Sequence, residues 1–226
     1  MPDNANNQSD SRVILIDKPL RWTSFDIVKK VRYSLKLKKV GHAGTLDPLA
    51  TGLLILCTGS KTKQIEEFMG LEKEYTGKMI IGKTTPSVDL ETSFDSEKSW
   101  DHITNKDCVR IATSFTGEIS QVPPAHSAIM VKGKRAYKLA RKGEPVELKS
   151  RQVFIKELSI TQLTLPEIWF RIICSKGTYI RSLVRDFGEK LGTGAYLAEL
   201  RRTRIGQFRV EDSIPVDQIS TLYENP

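Results

Sequence analysis

Apolar residues along this chain recur with two periods, and the switches between them predict its elements. Residues 12–17 carry the run Val13-Ile14-Leu15-Ile16 and stop at Lys18-Pro19, the pattern of a short strand ended by a turn. Thr23 with Asp26 three positions later has the form of a capping box, and Ile27, Val28, Val31 and Leu35 then recur at helical spacing. The unbroken run Leu53-Leu54-Ile55-Leu56-Cys57 predicts a buried strand, residues 64–69 a short helix, and residues 73–81 a strand containing Tyr75. Residues 83–101 turn acidic and loop-like, and residues 105–114 predict a helix ended by Thr116-Gly117. Two strands, 151–163 and 167–174, flank a turn at Leu165-Pro166. Ile180, Leu183, Val184, Phe187 and Leu191 then outline an amphipathic helix closed by Gly188, Gly192 and Gly194. A closing strand over 205–210 and a short helix over 216–223 complete the reading.

Composition narrows the class. A chain of 226 residues with 39% hydrophobic residues can bury a core in one large domain, or in one domain with a small annex. Its 35 Lys and Arg against 27 Asp and Glu give a net charge of +8, which favours a polyanionic partner such as nucleic acid. Much of that charge follows the first predicted helix, as Lys29, Lys30, Arg32, Lys36, Lys38 and Lys39; a solvated helix face and an RNA-facing one are both compatible with it. Cys57, Cys108 and Cys174 are odd in number and widely spaced, so neither a disulfide framework nor a zinc cluster is expected and the compartment reads as reducing. No apolar run approaches a membrane span, and residues 1–10 lack the blocks of a signal peptide and are expected to form a disordered tail.

Candidate chemistry concentrates in Val40-Gly41-His42-Ala43-Gly44-Thr45-Leu46-Asp47-Pro48-Leu49-Ala50-Thr51-Gly52-Leu53-Leu54. Pro48 forces Asp47 out of the helical region, so this carboxylate stands on a bent, extended backbone at the lip of the buried strand. Gly41, Gly44 and Gly52 permit positive φ or the close approach of another backbone. A structural turn would use the same residues.

The segment Gly41-His42-Ala43-Gly44-Thr45-Leu46-Asp47-Pro48-Leu49-Ala50-Thr51-Gly52-Leu53-Leu54 resembles the signature of the TruB family of tRNA pseudouridine synthases, and further matching segments recur in order from Val13 to about Arg204. The resemblance implies an α+β pseudouridine synthase fold: a mixed, mostly antiparallel sheet flanked by helices over residues 12–226, with an inserted RNA-gripping segment at about 117–145. It implies that Asp47 is the essential catalytic residue and that Tyr75 stacks on the target base, against the commoner role of a strand aromatic in core packing. The pattern Lys176-Gly177-Thr178-Tyr179-Ile180-Arg181 resembles the family's as well, and implies that Tyr179 lines the uracil pocket and that Arg181 stands near the catalytic acid. A cation at a helix amino end calls for an acidic partner; Asp47 is the natural one, and a surface pair with Asp186 or Glu189 is the alternative. Leu200 corresponds to a substrate-contacting position or is simply core, and His42 is a wedge or phosphate contact or a structural residue.

Two departures from the family pattern stand out. Thr92 occupies the place of a usual glycine three residues after Asp89, and Met130 replaces a usual lysine, whose role then moves to Lys132 or is lost. The family commonly continues into a small RNA-binding domain of the PUA type, and none is expected here, so tight binding must come from the catalytic domain. The activity implied is isomerisation of uridine 55 in the tRNA T-arm, by a monomeric cytoplasmic enzyme that needs no cofactor and no metal. Breaking the bond between ribose C1′ and base N1 and rejoining through C5 gains and loses no atoms, and one carboxylate can attack the anomeric carbon or stabilise an oxocarbenium-like species. A tRNA-folding chaperone or RNA-binding module, and a sister pseudouridine synthase acting on other RNA, are the competing readings.

Overall fold

The computed structural model describes residues 11–131 and 133–223. The expected disordered tail over residues 1–10, and the role considered for Lys132, lie outside the described residues. The chain divides into two compact units: Thr76–Glu199 forms one, and the segments before and after it form the other.

The first unit begins with β1 (Val13–Lys18), α1 (Ser24–Ser34), β2 (Val40–His42) and β3 (Ala50–Thr58), followed by a 3-10 turn (Gly59–Gln64) and α2 (Ile65–Gly70). β4 (Lys73–Ile81) carries the chain into the second unit, which holds β5 (Lys83–Thr84), β6 (Ser96–Glu97), α3 (Asn105–Thr113), β7 (Gly117–Gln121), β8 (Met130–Val131), β9 (Lys134–Arg135) and α4 (Ala136–Ala140). There follow β10 (Arg151–Thr164), β11 (Glu167–Cys174) and α5 (Ile180–Leu191); β12 (Ala195–Ile205) then leads back to the first unit, which ends with β13 (Phe208–Arg209), β14 (Ile214–Pro215) and 3-10 turns at Val210–Asp212 and Val216–Tyr223.

In the first unit β3 is central. It pairs antiparallel with β1, from Val13↔Cys57 to Lys18↔Gly52, antiparallel with β2, and parallel with the end of β12 through Leu200↔Ala50 and Arg202↔Gly52. Its apolar run is continuous because both faces are covered. On one face Leu54 and Leu56 join Ile27, Val31 and Ile219; on the other Leu53, Ile55 and Cys57 join Ala43 and Ile205. Each such fully buried side chain stabilises the fold by about 1.5–3 kcal/mol relative to exposure. The capping box at Thr23 and Asp26 is present and starts α1, a feature worth about 1 kcal/mol. In the second unit the strands run in the order β4-β11-β10-β7, with β10 antiparallel to both neighbours. Residues 117–121 of the expected insertion thus form an edge strand, and the described residues of 122–145 form loops, the β8–β9 hairpin and α4. All three cysteines are buried, and none of them is in a disulfide.

The C-terminal reading needs correction. The strand expected at 205–210 is instead the end of β12 and the two residues of β13, joined by a turn at Gly206, whose φ is +54°. The long strand lies upstream, over Ala195–Ile205. The helix expected at 216–223 is present over those residues, as a 3-10 helix.

Candidate catalytic site

Asp47 lies in the loop of the β2–β3 hairpin, and local chemistry shapes its position. The Ala50 N–H donates to the Asp47 carbonyl at 3.1 Å, closing a turn with Pro48 as its second residue, where the ring's preset φ is favourable. The loop's main chain is pinned from outside. The buried Ser24 hydroxyl, at the start of α1, accepts from the Leu46 N–H at 2.9 Å and donates to the Leu46 carbonyl at 3.2 Å. The Arg21 N–H donates to the Pro48 carbonyl at 2.7 Å. Asp47 itself is half-buried, held on a backbone with little freedom.

Two fully buried cations underlie this loop. Lys18, 0% exposed, donates through Nζ to the carbonyls of Pro19, Trp22 and Pro48. Burial pushes its ammonium down to about 8, against the opposing pull of the Asp47 charge. Arg202, 1% exposed, donates from Nε to the Leu53 carbonyl at 2.7 Å and from Nη2 to the Gly44 carbonyl at 3.2 Å. Gly52 makes this packing possible: its φ is +102°, and a side chain there would drive Cβ into the Arg202 main chain. His42 enters the same hairpin at β2. Burial first, and then the Arg202 charge, hold its imidazole below the usual range, so the ring is neutral at pH 7.

The Lys18 shift has a testable sign. Its folded pKa of about 8 lies below the ordinary 10.5, so between these values the unfolded chain binds more protons than the native one. Native stability therefore gains from this group as pH rises through that window. Urea unfolding of the protein and of Lys18→Met at pH 7.5 and pH 9.5 is expected to show the gap moving in favour of the lysine form at the higher pH. A pH-independent gap would refute the burial of a charged amine.

In the second unit, Tyr179 is the N-cap of α5. The Gln121 side chain, 0% exposed, clamps its main chain: Oε1 accepts from the Tyr179 N–H at 2.8 Å and Nε2 donates to the Tyr179 carbonyl at 3.1 Å. The Arg151 guanidinium lies 4.5 Å from the Tyr179 ring centre. Arg181, in the first turn of α5, is 3% exposed. It donates to the carbonyls of Ser87 at 3.1 Å and His126 at 2.9 Å, and its Nε stands 3.6 Å from Oδ2 of the equally buried Asp89. The surface pair considered for Arg181 belongs to its neighbour: Arg185 pairs with Asp186 at 2.7 Å and with Glu189 at 3.8 Å.

Thr92 is built into the Asp89 loop. Its hydroxyl accepts from the Ser87 N–H at 3.1 Å and lies 2.8 Å from the Ser87 hydroxyl, tying the loop across its base. Met130, 54% exposed, starts the β8–β9 hairpin.

The predicted residues therefore fall into two sets. His42, Asp47, Tyr75 and Leu200 belong to the first unit, and Tyr179 and Arg181 to the second. Leu200 is half-buried and pairs in register with Ala50, three residues beyond Asp47. Tyr75, 9% exposed, lies on the buried face of β4. Sequence reading assigned no role to Lys18, Gln121 or Arg202, nor to the neighbouring Arg201 and Arg204. Those arginines are engaged: Arg201 grips Asp17 through two hydrogen bonds of 3.0 and 2.7 Å, and Arg204 pairs with Glu72 and Glu74. No short-range pattern marks Arg202 as buried, since burial does not alternate along this part of β12.

Comparisons with known proteins bear on this geometry. The model of the TruB family pseudouridylate synthase N-terminal domain matches residues 32–180, and that of the tRNA pseudouridylate synthase B C-terminal domain matches residues 181–225. A tRNA pseudouridine synthase B of Bacteroides thetaiotaomicron is 53% identical over 92% of this chain and 91% of its own. The protein of that name from Phocaeicola vulgatus is 51% identical over 93% of this chain and 92% of its own. Among solved structures, a chain of a Cbf5-Nop10-Gar1 complex superposes with a TM-score of 0.73 at 29% identity over 93% of this chain. A chain of an H/ACA RNP bound to a substrate RNA containing 2′-deoxyuridine does so with a TM-score of 0.70 at 26% identity. This chain spans about half the length of those two, 54% and 53%.

Proposed function

From the membership of this chain in the TruB family of pseudouridine synthases, to which it belongs, we propose that its substrate is the T-arm of tRNA and its target uridine 55. The protein is an enzyme, an isomerase that converts uridine in tRNA to pseudouridine. The observation that carries the reading is the setting of Asp47: a half-buried carboxylate on a Pro48 turn whose main chain is pinned by Ser24 and Arg21 above two buried cations. A carboxylate held in this way loses little freedom on meeting a flipped nucleoside, and it can bond to the anomeric carbon or stabilise the charge that develops there.

The remaining roles follow the same proposal. Tyr75 and Tyr179 offer flat faces to the extruded uracil, Arg181 assists the reaction, Leu200 borders the substrate, and His42 takes a phosphate or the vacated stack. Extrusion costs a few kcal/mol, which stacking and backbone contacts offset. Residues 122–145 are the part of the expected insertion suited to gripping RNA. The enzyme works as a cytoplasmic monomer without cofactor or metal. No described helix is long and apolar enough to cross a membrane.

The test is incubation with an unmodified T-arm hairpin and an assay for pseudouridine. Conversion at the single expected uridine, undiminished after EDTA treatment, is the expected result. A hairpin left unmodified while another RNA is converted would move the protein to the sister synthases. Binding and annealing of tRNA without any product would favour the chaperone.

A further inference from the structure

The outer face of α1 is not used by the fold. Its inner face, with Ile27, Val28 and Val31, is buried in the core. Phe25, Lys29 and Arg32 follow at i, i+4 and i+7, one stripe of the opposite surface, with Tyr33 beside them and Lys36 just past the helix end. The aromatics are in the open: Phe25 is 59% and Tyr33 70% exposed. Each has a cation over it, Lys29 Nζ 4.9 Å from the Phe25 ring centre and the Arg32 guanidinium 5.4 Å from that of Tyr33. Between Ser24 and Lys39 there are six basic residues and a single acid, Asp26, whose carboxylate is occupied by the Thr23 cap. None of the basic six makes an ion pair among the described residues, in contrast to the engaged arginines of β12. An exposed aromatic face offers a base a surface on which to stack, and cations beside it without an ion-pair partner can neutralise phosphates and release their counterions.

The placement couples this stripe to the reaction. Ser24, at one end of α1, holds the main chain of Leu46, and Lys38 and Lys39, beyond its other end, run directly into β2 and the Asp47 hairpin. We propose that the outer face of α1 is a second RNA-docking surface, which takes an unpaired stretch of the substrate with its bases against Phe25 and Tyr33 and its phosphates on Lys29, Arg32 and Lys36. This rests on RNA being the substrate, as proposed above. A membrane is a poorer occupant, because the apolar face of α1 is spent in the core and its outer face is mainly charged.

The experiment is fluorescence anisotropy with an unmodified tRNA transcript, as a function of salt. The triple variant Lys29→Glu, Arg32→Glu, Lys36→Glu is expected to bind at least about 30-fold more weakly. Its plot of log affinity against log salt should be shallower by about 2, three lost contacts at about 0.7 each. Phe25→Ala with Tyr33→Ala should lose about 30-fold or more, the scale of two lost stacking contacts. A charge-matched control, Lys63→Glu, Lys98→Glu, Lys106→Glu, should lose less than about threefold, since these residues lie off the stripe. All variants change exposed side chains, and melting temperatures verify that they fold. Wild-type affinity and salt slope in both stripe variants, or an equal loss in the control, would overturn the proposal. The two readings fail separately. An active wild type with undiminished stripe variants removes only this surface, whereas weakened stripe variants of a wild type that makes no pseudouridine remove only the catalytic assignment.

Discussion

Asp47→Asn is expected to bind tRNA within a few-fold of the wild type and to form pseudouridine at least about 10⁴-fold more slowly, the scale seen when a member of a catalytic constellation is removed. That factor corresponds to roughly 5.5 kcal/mol of lost transition-state stabilisation. The substitution is nearly isosteric, and these hydrogen bonds engage the loop through its main chain: Ala50 N–H to the Asp47 carbonyl, the Ser24 hydroxyl to Leu46, Arg21 N–H to the Pro48 carbonyl. Asparagine keeps these and removes the charge. Single-turnover kinetics with excess enzyme separates binding from chemistry. Product formation above about 1% of the wild-type rate, with RNA binding intact, would show that the charge at this position is not what drives the reaction.

Arg181→Met should be the more damaging change to the fold. The guanidinium side chain is 4% exposed and faces an Asp89 carboxylate that is 7% exposed, and it also donates to the carbonyls of Ser87 and His126. Removing one partner of a buried pair leaves an uncompensated charge, a loss of about 3–5 kcal/mol. Arg181→Lys keeps a charge but not the planar fork that serves two carbonyls and a carboxylate together, so it should restore only part of the stability. Asp89→Asn in the Arg181→Met background removes the stranded charge, and the double variant should be less destabilised than the sum of the singles. Urea unfolding of the four proteins measures this directly; additive losses, or a single loss under about 1 kcal/mol, would mean that the pair is not buried as described.

Which features could be read in advance follows from how far their causes reach along the chain. The capping box at Thr23, the Leu53–Cys57 core run, the bounds of β4 and the apolar face of α5 all arise from residues within one or two turns of each other. The Asp47 turn is of the same kind, because Pro48 restricts its neighbours by direct steric contact. Arg181 shows the other case. Local spacing offers it Asp186 and Glu189, but those go to Arg185, and the residues that bury it, Ser87 and Asp89, lie more than 90 positions away. Nothing in Leu200-Arg201-Arg202 itself shows that Arg202 is buried; parallel pairing with β3 brings its guanidinium to the Gly44 carbonyl.

By itself, then, the amino-acid order determined the elements, the bent backbone under the candidate carboxylate and the family to which the chain belongs, since all three rest on short-range sterics, periodicity or contiguous motifs. Tertiary structure alone decided which cations are interior: Lys18 and Arg202 beneath the loop, Arg181 beside Asp89, and the α1 stripe left facing water. The reason is that a charge enters a protein interior only where carbonyls or an opposite charge from distant segments converge on it, and that convergence is a property of strand register and helix docking rather than of neighbouring letters.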